Sequence, residues 1–151
     1  MKRKIRLLAY NVRSLWNVGS FFRTCDAFNV EKIYLTGYTG TPPRKEITKT
    51  ALGAEETVPW EHAEDPIDVV TKLKADGWSI VPLELTADAV DLTTFTPHEK
   101  MCVVVGHELS GVPQEILDVA QSVIKIPMLG KKESLNVAVA AGIALHYLRN
   151  R

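Results

Sequence analysis

The chain has 151 residues, two cysteines, and 18 basic against 18 acidic side chains. That length makes one domain able to bury a core without staples, and its near-average apolar and charged content excludes disordered and fibrous classes. Zero net charge excludes a uniformly polybasic nucleic-acid binder, so any such surface has to be local.

No apolar run reaches membrane-spanning length, and the N-terminus lacks a signal-peptide core. With no CxxC pair, Cys25 and Cys102 read as core filler in a cytoplasmic protein. In chain order, residues 5–10 read as a first strand. Asn17 then caps a helix over 18–28, with Val18, Phe21, Phe22 and Cys25 at helical spacing, and Asn29 ends it. Residues 32–36 form a second strand, 37–43 a turn-rich loop, and 44–52 a short helix stopped by Gly53. Asp65 caps, and Pro66 opens, a helix running to Ala75 and closed by Gly77. Strands follow over 78–85 and 101–105, a short helix over 113–120, a last strand over 123–126 and a last helix over 135–148. Strands alternating with helices give a single α/β domain with a mainly parallel sheet and helices on both faces.

Ligands of such sheets bind at the carboxyl ends of the strands, where three polar segments fall. The first, residues 11–23, opens a helix whose free N–H groups favour anions. Its Arg23 is either an ordinary surface arginine or an anion-binding group rising from an apolar neighbourhood. In the second, residues 106–111 (GHELSG), the glycines permit close backbone approach or positive φ. Glu108 there needs a partner, for which Arg23 is the candidate, and His107 reads as a loop histidine. The third, residues 128–136, holds Gly130 and Ser134-Leu135-Asn136. Ser134 can cap the last helix, whereas Asn136 is a poor residue for a helix interior. The Ala- and Gly-rich helix that follows implies a close-packed neighbour. The four histidines are scattered without ligand spacing, so no metal is expected, and neither a P-loop nor a GxSxG elbow is present.

Together, NVGSFFRTCDAF, VVVGHELSG and IKIPMLGKKESLNVAVAAG resemble the three motifs of the SpoU (TrmH-type) branch of the SPOUT RNA methyltransferases, over nearly the whole chain. The third motif is the most specific. The resemblance implies a C-terminal segment threaded into a deep trefoil knot, S-adenosylmethionine as methyl donor, and a homodimer. It assigns donor contacts to Leu85, Gly106, Ile126, Met128, Ser134 and Leu135, and a catalytic set of Arg23, Asn17, Glu108, Ser134 and Asn136. One departure is Leu109-Ser110, where the family commonly places Gly after the glutamate.

The activity so implied is methylation of a ribose 2′-hydroxyl in structured RNA, with tRNA favoured over rRNA because a compact domain reads a folded target by shape. Arg23 is expected to bind phosphate and activate the hydroxyl, as an electrostatic stabiliser or as a base, while Glu108, Ser134 and Asn136 organise the site. RNA contacts are expected from Arg13, Arg23, Arg44, Lys131 and Lys132, with Lys2, Arg3, Lys4 and Arg6 as further basic candidates. No separate RNA-binding domain is expected in residues 1–151. A partner subunit is expected to meet the Leu145, Tyr147 and Leu148 end of the last helix. A non-catalytic RNA-binding or assembly protein is the alternative, which the five site residues together disfavour.

Overall fold

The computed structural model describes residues 2–151. The chain runs β1 (Lys4–Tyr10), α1 (Leu15–Ala27), β2 (Lys32–Thr36), α2 (Lys45–Ala51), α3 (Ala54–Thr57), β3 (Trp60–Ala63) and α4 (Pro66–Ala75). It continues through β4 (Ser79–Pro82), β5 (Val90–Asp91), β6 (Lys100–Val105), α5 (Gln114–Val119), β7 (Ile124–Lys125) and α6 (Val137–Asn150). Five strands pair in the order β3-β2-β1-β6-β4, every pair parallel.

The central strands are apolar on both sides because both faces are covered, as parallel sheets require. Ile5, Leu7 and Ala9 look toward one core, which holds Phe21 and Phe22 of α1, Ile47 of α2 and Leu145 and Leu148 of α6. Leu8 looks to the other, packed with Val70 and Leu73 of α4 and Ile116 of α5. Both cysteines are buried in these layers. Burial pushes the Cys25 thiol far above its ordinary value and that of Cys102 up to about 12, which keeps both inert.

Several boundaries move. Helix α1 starts before Asn17, at Leu15, with Ser14 as its cap: the Ser14 hydroxyl accepts the Asn17 N–H at 3.2 Å. Helix α2 ends on Leu52, which itself adopts the left-handed conformation at φ 51°, and Gly53 at φ 95° starts α3 rather than merely stopping α2. The strand expected over 78–85 leaves the main sheet after Pro82. Leu83 bridges Ile124, and the Glu84 N–H donates to the Ile124 carbonyl at 3.0 Å. That detour creates the small β5-β7 ribbon. Edge strand β3 lacks an apolar run, so its sequence carries no strand signal.

The last helix is also displaced. Asn136 is its cap and not an interior residue, and its side chain accepts N–H groups of Ala138 and Val139 at 2.9 and 3.2 Å. Leu145 and Leu148 are fully buried in the chain's own core, and the Tyr147 hydroxyl donates to Thr93 O at 2.7 Å. The two leucines are therefore not partner-facing as the sequence suggests, whereas Tyr147 stays half-buried at the rim of a groove between α1 and α6. Ala141 and Ala144 are buried as well, so the small residues serve packing against the domain's interior. Arg149 fixes this helix, donating to Phe28 O, Arg3 O and Asn29 O.

Candidate active site

The carboxyl ends of β1 and β2 are locked together before any side chain reaches a ligand. Buried Thr39 donates its hydroxyl to Thr36 O at 2.7 Å and accepts the Val12 N–H at 3.1 Å. Thr36, also buried, donates to Ala9 O at 2.9 Å. These two polar core residues are fully paired, which burial of a hydroxyl demands, and they set the start of the loop before α1.

The loop after β6 is built from within. The His107 backbone exchanges hydrogen bonds with Gly111, and its ring Nδ1 accepts the N–H groups of Leu109 and Ser110, both at 3.0 Å. The ring proton therefore sits on Nε2. Gly106 leaves no room for a side chain, since a Cβ there would lie 2.3 Å from the Gly111 carbonyl carbon, and Gly111 has φ 72°. Close approach at one glycine and positive φ at the other divide the two reasons for glycine in this motif.

Glu108 turns away from its expected partner. Its Oε1 and Oε2 accept the N–H groups of Arg13 and Ser14, each at 3.0 Å. Neither ion pair of the described residues involves Arg23, so the Glu108–Arg23 pairing does not form. Burial by itself would push the Glu108 carboxyl up, but these backbone hydrogen bonds and the Asn17 side chain outweigh it and hold the group below its ordinary value of 4.5. At neutral pH it is a carboxylate held by backbone donors, a strong charge-assisted arrangement that clamps the start of α1 to the loop after β6. Asn17 continues the chain of contacts: its Oδ1 accepts from Asn136 Nδ2 at 3.3 Å. Glu108, Asn17 and Asn136, drawn from three separate segments, thus form one polar line.

Beside that line lies a cavity of about 670 Å³. Leu85, Gly106, Ile126, Met128, Ser134 and Leu135 all line it, together with Glu108 and Asn136. Arg23 and Asn17 do not line it. Arg23 is exposed on α1, as are Arg13, Arg44, Lys131 and Lys132 on their loops. Arg3 and Arg6 are otherwise engaged. Arg3 donates to Leu148 O and Arg151 O. Arg6 donates to the Tyr34 hydroxyl and to Glu31, with its guanidinium 4.2 Å above the Trp78 ring. Neither is a free cation for RNA.

One cavity residue carries no signal in sequence motifs. Glu84 accepts the Val112 N–H at 2.8 Å and the Leu85 N–H at 3.2 Å. Its carboxylate occupies the space a Gly111 side chain would need, 2.1 Å from the Cβ position. It fastens the segment after β4 to the end of the GHELSG loop. A carboxylate just past an apolar strand was the available sign, as it was for Glu108.

The cavity suits a donor with both an apolar and a polar part: backbone from three loops, the Leu85, Ile126 and Leu135 side chains, and two carboxylates on its wall. Among the described residues no group of three His, Cys, Asp or Glu side chains is placed to hold a metal.

Known proteins resemble this chain in sequence and fold. The model of the SpoU rRNA Methylase family matches residues 4–146. The tRNA (guanosine(18)-2′-O)-methyltransferase of Aquifex aeolicus is 33% identical over 146 residues, covering 96% of this chain and 68% of its own. The enzyme of the same name from Thermus thermophilus is 33% identical over 141 residues, 93% of this chain and 72% of its own. Among solved structures, the AdoMet-bound rRNA methyltransferase from Sinorhizobium meliloti superposes with a TM-score of 0.92 at 29% identity. It covers 99% of this chain, which spans only 57% of that protein. With the fold, the three motif loops and the family model in agreement over most of its length, the chain belongs to the SpoU rRNA methylase family.

Proposed function

We propose that the chain is an S-adenosylmethionine-dependent RNA methyltransferase acting on a ribose 2′-hydroxyl, with tRNA as the favoured RNA. One observation carries the reading: six residues singled out as donor contacts line one cavity, whose rim holds the Glu108–Asn17–Asn136 line. Held there by the residues that line the cavity, S-adenosylmethionine would supply an electrophilic methyl group for the 2′-oxygen, leaving its sulfur as the neutral thioether, with the hydroxyl proton passing to solvent water. The protein's part is to orient and to stabilise charge. Ionised Glu108, held by two backbone donors, is a poor proton acceptor and serves to fix the rim. Ser134 and Asn136 offer a hydroxyl and an amide toward the ribose. Arg23, permanently charged, holds the adjacent phosphate and stabilises the developing alkoxide. Arg13, Arg44, Lys131 and Lys132 extend a local cationic surface for the RNA backbone, and within these residues RNA capture falls to the catalytic domain itself. The names of the Aquifex and Thermus relatives support tRNA.

A homodimer and a knotted C-terminal segment belong to the same reading. The dimer is supported by an apolar groove between α1 and α6, lined by Phe28, Val139, Gly142 and Ile143, with Val139 and Ile143 exposed. The knot is supported by the match of the family over residues 4–146 and by the likeness in fold to the TrmH/SpoU tRNA modifying enzyme of A. aeolicus. No helix of the described residues is long and apolar enough to cross a membrane, and the cytoplasm is the compartment this reading assigns.

Calorimetry with S-adenosylmethionine, then transfer of labelled methyl to unmodified tRNA transcripts and digestion to nucleosides, tests the proposal. The expected product is a 2′-O-methylnucleoside, and Arg23→Ala keeps donor binding while losing most turnover. Absence of donor binding returns the chain to the non-catalytic alternative, a base-methylated product moves it to another reaction, and near-full Arg23→Ala activity removes the role given to that arginine. A monomer by light scattering at micromolar protein removes the dimer.

A further inference from the structure

The turn after β2 holds an exposed aromatic ring on an unusually well-fastened backbone. Gly37, at φ 65°, donates its N–H to Ala63 O at 3.0 Å and takes the His62 Nε2–H on its carbonyl at 2.9 Å. The Tyr38 N–H donates to Asn11 Oδ1 at 2.9 Å, and Asn11 is itself a left-handed non-glycine residue at φ 49°. No side chain fits at Gly37, because a Cβ would lie 1.9 Å from that same Asn11 oxygen. Thr39, the next residue, is the buried hydroxyl that joins β1 to β2. Backbone strain of this kind persists where surrounding structure enforces it, and it gathers at working sites.

What the fastening presents is Tyr38, 58% exposed, at the carboxyl edge of the sheet. Its hydroxyl has no hydrogen-bond partner among the described residues. The ring meets the His107 ring edge to face, at 6.3 Å between centroids and 89° between planes. His107 lines the donor cavity. Stacked bases are about 3.4 Å apart, so the 6.3 Å between the Tyr38 and His107 rings corresponds to about two stacking steps between a base beside Tyr38 and the wall of the cavity. Exposed Arg13, on the loop after β1 and with its N–H on Glu108 beside His107, adds a cation for the phosphate between them.

We propose that Tyr38 is a stacking platform for an unpaired base of the RNA substrate next to the nucleotide that is methylated. A single-stranded base presents a π face, and aromatic side chains read unpaired RNA by stacking on it. The assignment rests on the RNA reading above and adds to it the kind of contact: a splayed or looped base, bound by ring area and not by base-specific hydrogen bonds.

The experiment measures the full chain and its Tyr38→Ala and Tyr38→Phe variants by filter binding to an unmodified tRNA transcript, by KM and kcat for methyl transfer, and by calorimetry with S-adenosylmethionine. Tyr38→Ala is expected to weaken RNA binding and raise the RNA KM roughly tenfold, the effect of losing one stacked base, with donor affinity and melting temperature unchanged. Tyr38→Phe retains the ring and restores binding. A Tyr38→Ala protein with wild-type RNA affinity and KM overturns the proposal alone. So does an equal loss in Tyr38→Phe, which would make the hydroxyl the contact, or a change in oligomeric state that accounts for the defect. A wild-type chain that binds no transcript overturns it together with the RNA reading.

Discussion

The two helices that bound the site start in different ways. Helix α6 is capped locally: Asn136 accepts two N–H groups of its own first turn. Helix α1 has a local cap in Ser14, but the N–H groups just ahead of it, those of Arg13 and Ser14, go to Glu108, more than ninety residues away. The first start is fixed by neighbours in sequence and the second only when β6 lies beside β1. Asn17 joins them, so a site assembled from distant loops inherits the rigidity of two helix ends.

Breaking the long-range clamp should have the largest effect. Glu108→Ala leaves two backbone donors without their carboxylate, and hydrogen bonds to charged groups contribute about 1.5–3 kcal/mol each. Turnover is expected to fall at least about a hundredfold, on that estimate. Full activity in single-turnover assays would show that the clamp does not hold the site.

The local start can be probed without losing its cap. Asn136→Asp keeps an oxygen for Ala138 and Val139 but has no amide to donate to Asn17. Its melting temperature should stay within a few degrees of wild type, since a cap is worth about 1 kcal/mol, while activity drops. Asn136→Ala should lose both. If Asn136→Asp is as active as wild type, the Asn17 link is dispensable.

The smallest effect is acid sensitivity. A carboxyl held below its unfolded value stabilises the fold above that value and loses the contribution as pH falls through the folded one. For Glu108 the contribution is complete above about 4.5. Melts of wild type and Glu108→Gln should therefore differ at pH 7, with the gap narrowing progressively as pH falls below 4.5. A gap that is constant down to about pH 3 would mean that the charge contributes nothing.

Much of this was legible from residues. Helix α4 keeps its sequence bounds because Asp65 and Pro66 are local signals. The three motif loops meet at one cavity because parallel strands share a carboxyl edge. Less legible were Glu84 and Tyr38, since a lone carboxylate and a turn tyrosine acquire meaning only from what faces them.

The sequence by itself determined the alternation of elements, the apolar central strands and the motif residues, all of which depend on neighbours a few positions apart. Tertiary structure alone decided that Glu108 meets Arg13 and Ser14 instead of Arg23, that Asn17 is a link, and that the chain beyond Pro82 leaves the sheet for β7. Those outcomes turn on which backbone donors lie unpaired once the sheet is closed, and hydrogen-bond demand of that kind is settled by proximity in space.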